Sequence, residues 1–187
     1  MERDRFLFGL GALLPLAWTT GLKGWLGVGE RTPFKVNAGE ARSGKRYTMR
    51  GVTLNTLDVK VGGDDTEGAL AVFEQIGHTP NGGPPLHIHL EQDEWFFVLE
   101  GEYLFQCGDE RWHAKAGDTV FLPRQVPHAF VQLTDRARTL VSYQPAGDME
   151  AFFRTTDAWT EPPTPTVVAD MFAAHGMQVV GGPLRVE

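Results

Sequence analysis

The sequence predicts an all-β domain of antiparallel strands followed by two short helices, and three observations support this prediction. From residue 52 onward, short runs alternate apolar and polar side chains with the period of two that is typical of strands. Polar or glycine-rich turns separate these runs at short intervals, as in antiparallel sheets. After Pro145 the apolar period becomes that of a helix. A chain of 187 residues with 42% hydrophobic composition is long enough to form one core of this kind.

The N-terminal segment, residues 1–24, differs in composition from the predicted domain. Arginines at positions 3 and 5 precede a mostly apolar run, residues 6–18, which suits a signal-peptide core and is too short to span a bilayer. This start resembles a twin-arginine export signal in which Asp4 occupies the place of the second arginine. We therefore expect export to the periplasm or medium. The alternative is an N-terminal helix that stays on a cytoplasmic protein. Residues 25–47, rich in Gly, Lys and Arg, are interpreted as a lead-in arm.

The first predicted hairpin pairs residues 52–61 with residues 69–76 across a polar turn. The acidic residues of that turn do not have the spacing of a calcium-binding loop, so we interpret it as a solvated hairpin tip. A stretch with three prolines and two glycines, residues 79–85, then predicts a stiff and irregular loop.

Four side chains after this loop are candidate metal ligands. His87 and His89 lie two residues apart on a predicted strand, so both imidazoles face the same side of the sheet. Glu94 follows after four largely polar residues, which can reverse or bulge the chain and return the carboxylate to that side. His128 follows a short apolar strand closed by prolines. Three imidazoles and one carboxylate suit a first-row divalent ion with open coordination positions. The alternative is a set of solvated histidines without a ligand role.

The strand that begins at Glu94 has two apolar faces, one carrying Phe96 and Val98 and the other carrying Trp95, Phe97 and Leu99. Such a strand is expected to be covered on both sides, with the outer cover supplied by another layer or a second subunit. Three phenylalanines are candidate walls of a substrate pocket, with plain core packing as the alternative for each: Phe96, Phe121 and Phe130.

The C-terminal segment, residues 146–187, is predicted to be a helical extension. Residues 148–154 and 167–175 each place apolar side chains on one helical face, and a proline-rich break separates them. The segment after Gly176 has no informative pattern. Cys107 is the only cysteine, which excludes an internal disulfide.

The motif residues together resemble the cupin superfamily, specifically single-domain type-2 cupins similar to quercetin 2,3-dioxygenase. His-x-His, four residues, Glu94, six residues and Gly101 resembles the first cupin signature, and Gly117 with Pro123 and His128 resembles the second. The resemblance covers residues 48–145 and implies a small antiparallel β-barrel of jelly-roll type with a metal inside. Carried over residue by residue, it assigns four metal ligands: His87, His89, Glu94 and His128. Three residues depart from the family pattern at turns and a strand end, replacing two glycines and an asparagine: Asn81, Gln125 and Gln132.

The net charge and the absence of other known motifs exclude several classes of function. A net charge of −7 without a basic stripe argues against nucleic-acid partners. Phosphate-binding, dinucleotide-binding and nucleophile motifs are absent from the sequence, so any chemistry should depend on one divalent metal, which could be Fe, Mn, Ni, Co, Cu or Zn.

The resemblance implies an oxidoreductase, a metal-dependent dioxygenase that uses O2 to cleave an aromatic or enolic small molecule, with Glu94 as the catalytic base. The alternative is an isomerase or decarboxylase, or a non-catalytic binding protein with the same ligands. The resemblance and the apolar outer strand face also predict a homodimer.

Overall fold

The computed structural model describes residues 32–186. It confirms an antiparallel all-β fold of jelly-roll type with two helices near its C-terminal part. The predicted signal peptide or N-terminal helix, residues 1–24, lies outside the described residues, as does the first part of the lead-in arm.

Within the described residues the chain forms eleven β-strands, two α-helices and two short 3₁₀ turns. The strands are β1 (Arg46–Thr48), β2 (Thr56–Val61), β3 (Ala71–Gly77), β4 (Pro85–His89), β5 (Asp93–Glu100), β6 (Glu102–Cys107), β7 (Glu110–Lys115), β8 (Thr119–Leu122), β9 (His128–Gln132), β10 (Ala137–Gln144) and β11 (Met177–Pro183). The helices are α1 (Met149–Asp157) and α2 (Pro165–Ala174), and the 3₁₀ turns are Arg42–Gly44 and Gly63–Thr66.

Two antiparallel sheets divide these strands. One sheet has six strands in the order β1-β2-β3-β10-β5-β8, and the other has five in the order β11-β4-β9-β6-β7. From β3 onward the chain crosses from one sheet to the other at every connection except that between β6 and β7. These crossings place β4 and β5 in different sheets, although only a short turn connects them.

The core fills the space between the sheets. Along β5, Glu94, Phe96 and Val98 are buried, whereas the residues between them are only partly covered. The predicted division of this strand into an inner and an outer face is therefore confirmed. Phe96 meets Phe105 and Phe130 with ring centroids 5.1 and 5.4 Å apart, in tilted and edge-on arrangements that aromatic rings prefer.

The two helices add their apolar faces to the same core. Phe152 and Phe153 of α1 and Phe172 of α2 are buried, and the Phe152 and Phe172 rings meet edge-on at 5.0 Å. Helix α2 starts with Pro165, and the Thr164 hydroxyl caps it by accepting a hydrogen bond from the Val167 amide at 3.3 Å. Among the described residues, neither helix has the length and apolar character that crossing a membrane requires.

The segment after Gly176, which has no informative sequence pattern, forms β11 and completes the five-stranded sheet. Met177 pairs with His89 and Val179 pairs with His87. The predicted helical extension is therefore helical only up to Ala174. Two glycines inside β11 weaken its strand pattern, and the neighbouring strand that stabilises it lies about 90 residues earlier in the chain.

Candidate metal centre

The four candidate ligands meet between the two sheets. His87 and His89 lie on β4, and His128 at the start of β9 pairs directly with His87, so the five-stranded sheet supplies three imidazoles. Glu94 on β5 faces them from the six-stranded sheet. All four side chains are buried. The bend at residues 90–92 turns the Glu94 carboxylate back toward the histidines, as the polar sequence predicted.

The distances are close to those of a coordination sphere. One ligand atom from each residue lies within 4.8 Å of the others. Glu94 Oε2 is 3.2 Å from His128 Nε2 and 4.0 Å from His89 Nε2. Ligand atoms bound to one ion at about 2.1 Å lie at most about 4.2 Å apart. The separations therefore exceed this limit by at most roughly half an ångström.

Carbonyl oxygens fix the tautomer of each histidine. A carbonyl oxygen only accepts hydrogen bonds, so each Nδ1 that contacts one carries the ring proton and donates it, which leaves the Nε2 lone pair free. The Nδ1 distances are 2.8 Å from His87 to the Pro85 carbonyl, 2.9 Å from His128 to the Val126 carbonyl, and 3.3 Å from His89 to Gln92 Oε1. All three histidines are thus prepared to bind a metal through Nε2.

One contact in this cluster is direct evidence that a cation fits between the ligands. His128 Nε2 is buried and has no hydrogen-bond partner, although Glu94 Oε2 lies only 3.2 Å away. With the ring proton on Nδ1, both atoms are acceptors, and two buried acceptors at this distance repel each other. A proton can satisfy the pair in the metal-free protein, and a metal ion replaces that proton. The residues present therefore fit a divalent metal.

Burial sets the charges of the ligands. Burial lowers the pKa of His87 well below its usual value, and protonation of His128 or His89 would act in the same direction. Burial also lowers the pKa of His89. For Glu94, burial alone would raise the pKa, but the neighbouring histidines, His128 first, outweigh it and lower the pKa to about 2. Neutral imidazoles and an ionised carboxylate are the forms that bind metals.

Tyr143 and Gln75 join the site, and the sequence analysis did not identify them. Tyr143 on β10 pairs with Glu94, and its ring lies 5.5 Å from the His89 ring. Burial raises the pKa of Tyr143 well above its usual value, and the Glu94 charge adds to this effect. Gln75 on β3 is only 3% exposed, and its Nε2 has no hydrogen-bond partner. Strand alternation in residues 137–144 is the only sequence signal for Tyr143, and alternation does not identify the strand's neighbours.

The cavity at the ligands is small and mostly apolar. Its volume is about 20 Å³, enough for roughly one water molecule. Helices α1 and α2 and strand β11 close it, and the Phe172 ring packs edge-on against the His87 ring at 5.2 Å. Apart from the ligands and polar residues already described, its walls are aromatic rings, thioethers and one proline: Met49, Pro84, Phe130, Met149, Phe152, Phe153, Phe172 and Met177.

The three predicted pocket phenylalanines lie in different places. Phe130 lines the cavity. Phe96 is buried in the core behind Phe130 and does not line it. The prediction for Phe121 is wrong, because this side chain is 57% exposed on the outer face of the six-stranded sheet. It pairs with Trp95, and its neighbours Val120 and Leu122 occupy the inner face.

The departures from the family signature leave the ligands in place. Asn81 and Gln125, which stand where glycines are expected, have φ angles of 63° and 65°, in the left-handed region that glycine adopts most easily. The Gln125 amide donates to the His89 carbonyl at 2.8 Å, which ties the loop before His128 to the ligand strand. Gln132 is buried at the end of β9, and its Nε2 donates to the Thr134 carbonyl at 2.7 Å.

Comparisons with known proteins place these observations in a family. Residues 78–143 match the family model described as Cupin domain. Quercetin 2,3-dioxygenase of Bacillus subtilis is 29% identical over 123 residues, which are 64% of this chain and 33% of that protein. The chain thus spans about a third of the length of the curated relatives it matches.

Two solved structures resemble the fold. The polyketide cyclase RemF of Streptomyces resistomycificus has a TM-score of 0.51 and 22% identity, over 62% of this chain and 80% of that one. An RmlC-like cupin of Shewanella frigidimarina has a TM-score of 0.50 and 16% identity, over 62% of this chain and 93% of that one. At these identities the two structures support the fold alone.

Proposed function

Because this chain belongs to the cupin superfamily, we propose that it is a metal-dependent dioxygenase that cleaves an aromatic or enolic small molecule. The observation that carries the proposal is the apolar and aromatic wall around three histidines and one carboxylate. A wall of this kind suits a ring-shaped substrate, whereas an isomerase or decarboxylase for polar substrates would need more polar lining. Similarity to the B. subtilis quercetin 2,3-dioxygenase supports the same choice.

The ligands and their neighbours have separate duties in this proposal. His87, His89, Glu94 and His128 would hold one divalent ion, either Fe, Mn, Ni, Co, Cu or Zn, which would supply open positions where a substrate oxygen and O2 can meet. Helices α1 and α2 exclude bulk water from this region. Tyr143 faces the carboxylate of Glu94 and can hold a substrate oxygen by a hydrogen bond.

Glu94 is the base that accepts the proton of the substrate's enolic hydroxyl. Its pKa of about 2 keeps the carboxylate ionised at neutral pH, but it also makes Glu94 a weak base while the histidines surround it. Proton acceptance therefore requires the carboxylate to turn away from His128 and toward the substrate. A movement of this kind changes its hydrogen bonds without changing the backbone of β5.

The test is oxygen consumption per bound metal with a panel of flavonols and catechols. We expect Glu94→Gln to lower this rate by about 10²–10⁴, because the amide keeps the size and an oxygen ligand but has no basicity. His128→Ala, which deletes a ligand instead, should lose metal and activity together. Equal rates for wild type and Glu94→Gln would refute the base role, and no oxygen uptake across the panel would refute the dioxygenase proposal.

One observation favours a second candidate function. The cavity of about 20 Å³ is far smaller than a flavonol, which suits a small-substrate isomerase or decarboxylase, or a non-catalytic binding protein. Substrate-sized ligands can reach the metal only if the wall of the cavity opens. The two candidates differ in oxygen consumption, which the experiment above measures.

A further inference from the structure

A groove on the outer face of the five-stranded sheet lies behind the metal ligands. Its volume is about 300 Å³, at the lower end of the range for small-molecule sites. Leu86 and Ala129 line it, and they are the chain neighbours of the ligands His87 and His128. Because successive side chains of a strand point to opposite faces, the groove and the metal centre lie on opposite faces of β4 and β9. This feature, the back groove, is lined by residues 182–185 together with Leu86, Gln106, Arg111 and Ala129.

The register of the sheet gives the back groove an apolar floor. Gln106 on β6 pairs with Ala129 on β9 and with Arg111 on β7, so these three side chains form one row across the outer face. The pairing of β4 with β9 places Leu86 beside Ala129 in the same row. Between Gln106 and Leu86 the row contains only the methyl group of Ala129, and this short side chain makes the surface concave. The middle of the groove therefore suits a hydrocarbon chain.

The two arginines of the back groove stand at its opposite ends. Arg111 belongs to β7 and Arg185 follows β11, and these two strands are the edges of the five-stranded sheet. Four strand spacings of about 4.8 Å, or roughly 19 Å, separate the two edges. Both side chains nevertheless line the same groove, so the groove runs across the strands with one guanidinium toward each end. This arrangement favours a ligand with two anionic groups over a single small anion such as phosphate.

The positive charges of both arginines are unneutralised. Arg111 Nε donates to Gln106 Oε1 at 3.1 Å, and Gln106 Nε2 donates to the Gly108 carbonyl at 3.3 Å, so a neutral amide holds this guanidinium in place. Among residues 32–186, the ion pairs of arginine involve neither Arg111 nor Arg185. None of the described residues that line the groove is acidic. In a chain with a net charge of −7, two unpaired guanidinium groups in one groove attract anions to that place.

The ligand class follows from this combination of charge and floor. A planar guanidinium binds a carboxylate through two parallel hydrogen bonds. We propose that the back groove binds a small aliphatic dicarboxylate, with one carboxylate on Arg111 and the other on Arg185. The hydrocarbon chain of the ligand then lies on Leu86 and Ala129. This site goes beyond the proposed function, because it contains no metal ligand and binding there requires no reaction.

Isothermal titration calorimetry of the full-length protein with succinate, adipate and suberate tests the groove. Hexanoate is the matched ligand, because it has the chain of adipate and a single carboxylate. We expect the dicarboxylate of best-fitting length to bind about fivefold more tightly than hexanoate, the upper end for a solvent-exposed ion pair. Chelator-treated protein should give the same Kd, since the back groove does not include the metal ligands.

Two variants at exposed positions, Arg111→Gln and Arg185→Gln, remove one end of the site each. Either change should weaken the best dicarboxylate about fivefold and bring its Kd to within about twofold of that of hexanoate, because only one ion pair then remains for both ligands. Arg136→Gln is the matched control. Arg136 is an exposed arginine between β9 and β10 that does not line the groove, so both Kd values should equal those of wild type.

Four results would overturn the dicarboxylate site. They are no binding of any dicarboxylate by wild type, equal affinity of wild type for hexanoate and the dicarboxylates, an unchanged Kd in both arginine variants, and binding that disappears after chelator treatment. The second would indicate a site for one carboxylate, and the last would place the ligand at the metal. Since this test measures binding and not oxygen uptake, its failure leaves the proposed dioxygenase standing, and failure of the dioxygenase leaves the back groove standing.

Discussion

Each of the three histidines is held by a carbonyl oxygen at Nδ1, so that Nε2 is available without any rearrangement of the ring. Two of these carbonyls belong to the backbone two residues before the histidine, at Pro85 and Val126. The strand itself therefore orients the ligand, and the partner atom cannot be removed by a substitution. His89 differs, because the Gln92 side chain orients it.

Removing two ligands should remove the metal. We expect wild type to hold about one divalent ion per chain and His87→Ala/His89→Ala to hold almost none, since one carboxylate and one imidazole bind such ions weakly. Elemental analysis of purified protein measures this. The control is His78→Ala/His113→Ala, which removes two exposed histidines outside the cluster and should keep the metal. Full retention by the first variant would contradict the assigned ligands.

At the scale of elements, the ligand strand β4 depends on a close approach of its leading loop to β9. A Cβ placed on Gly83 would lie 1.9 Å from the carbonyl oxygen of Phe130, so the two backbones touch at this point. The same contact fixes the position of β4 relative to His128, two residues before Phe130. Packing of glycine against backbone is thus part of what holds His87 opposite His128.

Gly83→Ala should push β4 away from β9. We expect a loss of about 1–3 kcal/mol in the free energy of unfolding, the usual cost of overpacking, together with weaker metal binding. Urea unfolding and metal titration measure the two effects. Gly182→Ala on β11 is the matched control, because its new methyl group would meet nothing within 4 Å. If both variants have the same unfolding midpoint, the close approach has no energetic importance.

At the scale of the whole molecule, acid should destabilise the fold through Glu74. This carboxylate is buried on β3 and pairs with Lys60 on β2 at 2.7 Å and with Arg138 on β10. Burial alone would raise its pKa, but the hydrogen bonds from Lys60 and Arg138 outweigh burial and lower the pKa below 4.5. A folded-state pKa below the unfolded value stabilises the protein above about pH 4.5, and this stabilisation is lost as the pH falls through the folded value.

Glu74→Gln should therefore lower the free energy of unfolding more at neutral pH than at acidic pH. We expect a loss of about 1.5–3 kcal/mol at pH 7, the range for hydrogen bonds to charged groups, and a smaller difference from wild type near pH 3. Urea unfolding of both proteins between pH 7 and pH 3 measures the difference. A difference that stays constant over this range would show that Glu74 does not contribute to the acid response.

The outer face of the six-stranded sheet should be a dimer interface. Trp95 and Phe97 stack at 6.3 Å on this face, and Leu99 and Phe121 are exposed beside them. A continuous apolar patch of this kind is unusual on a monomer. We expect light scattering at micromolar concentration to give the mass of a dimer, and Phe121→Asp to give that of a monomer. Val167→Asp, at an exposed apolar position on α2, should remain dimeric. A monomeric wild type would refute the interface.

The sequence predicted the parts of this fold that depend on local pattern. Alternation placed His87 and His89 on one face, and the polar turn after them correctly returned Glu94 to that face, because both effects act within a few residues. The motif spacing then identified His128, although the sheet pairing that brings it to His87 is not local. Helices α1 and α2 were also predictable, since helical periodicity is visible within ten residues.

Features that depend on strand register or on distant pairing were not predictable. Phe121 was predicted to lie inside because residues 120–122 are all apolar, and only the pairing of Phe121 with Trp95 shows which side chains point outward. Tyr143 reaches the site because β10 pairs with β5, which lies about 45 residues earlier. Strand β11 has a weak pattern of its own and is stabilised by β4. The cavity is closed by α1, α2 and β11, which pack against residues that lie far from them in the sequence.

Strand β11 also affects the order of events during synthesis. His87 and His89 lie on a strand whose second neighbour, residues 177–179, is translated about 90 residues later. Until the ribosome has released that segment, the ligand strand has an open edge that can pair with another chain. This edge of the ligand strand is therefore protected only after residues 177–179 have emerged and paired with it.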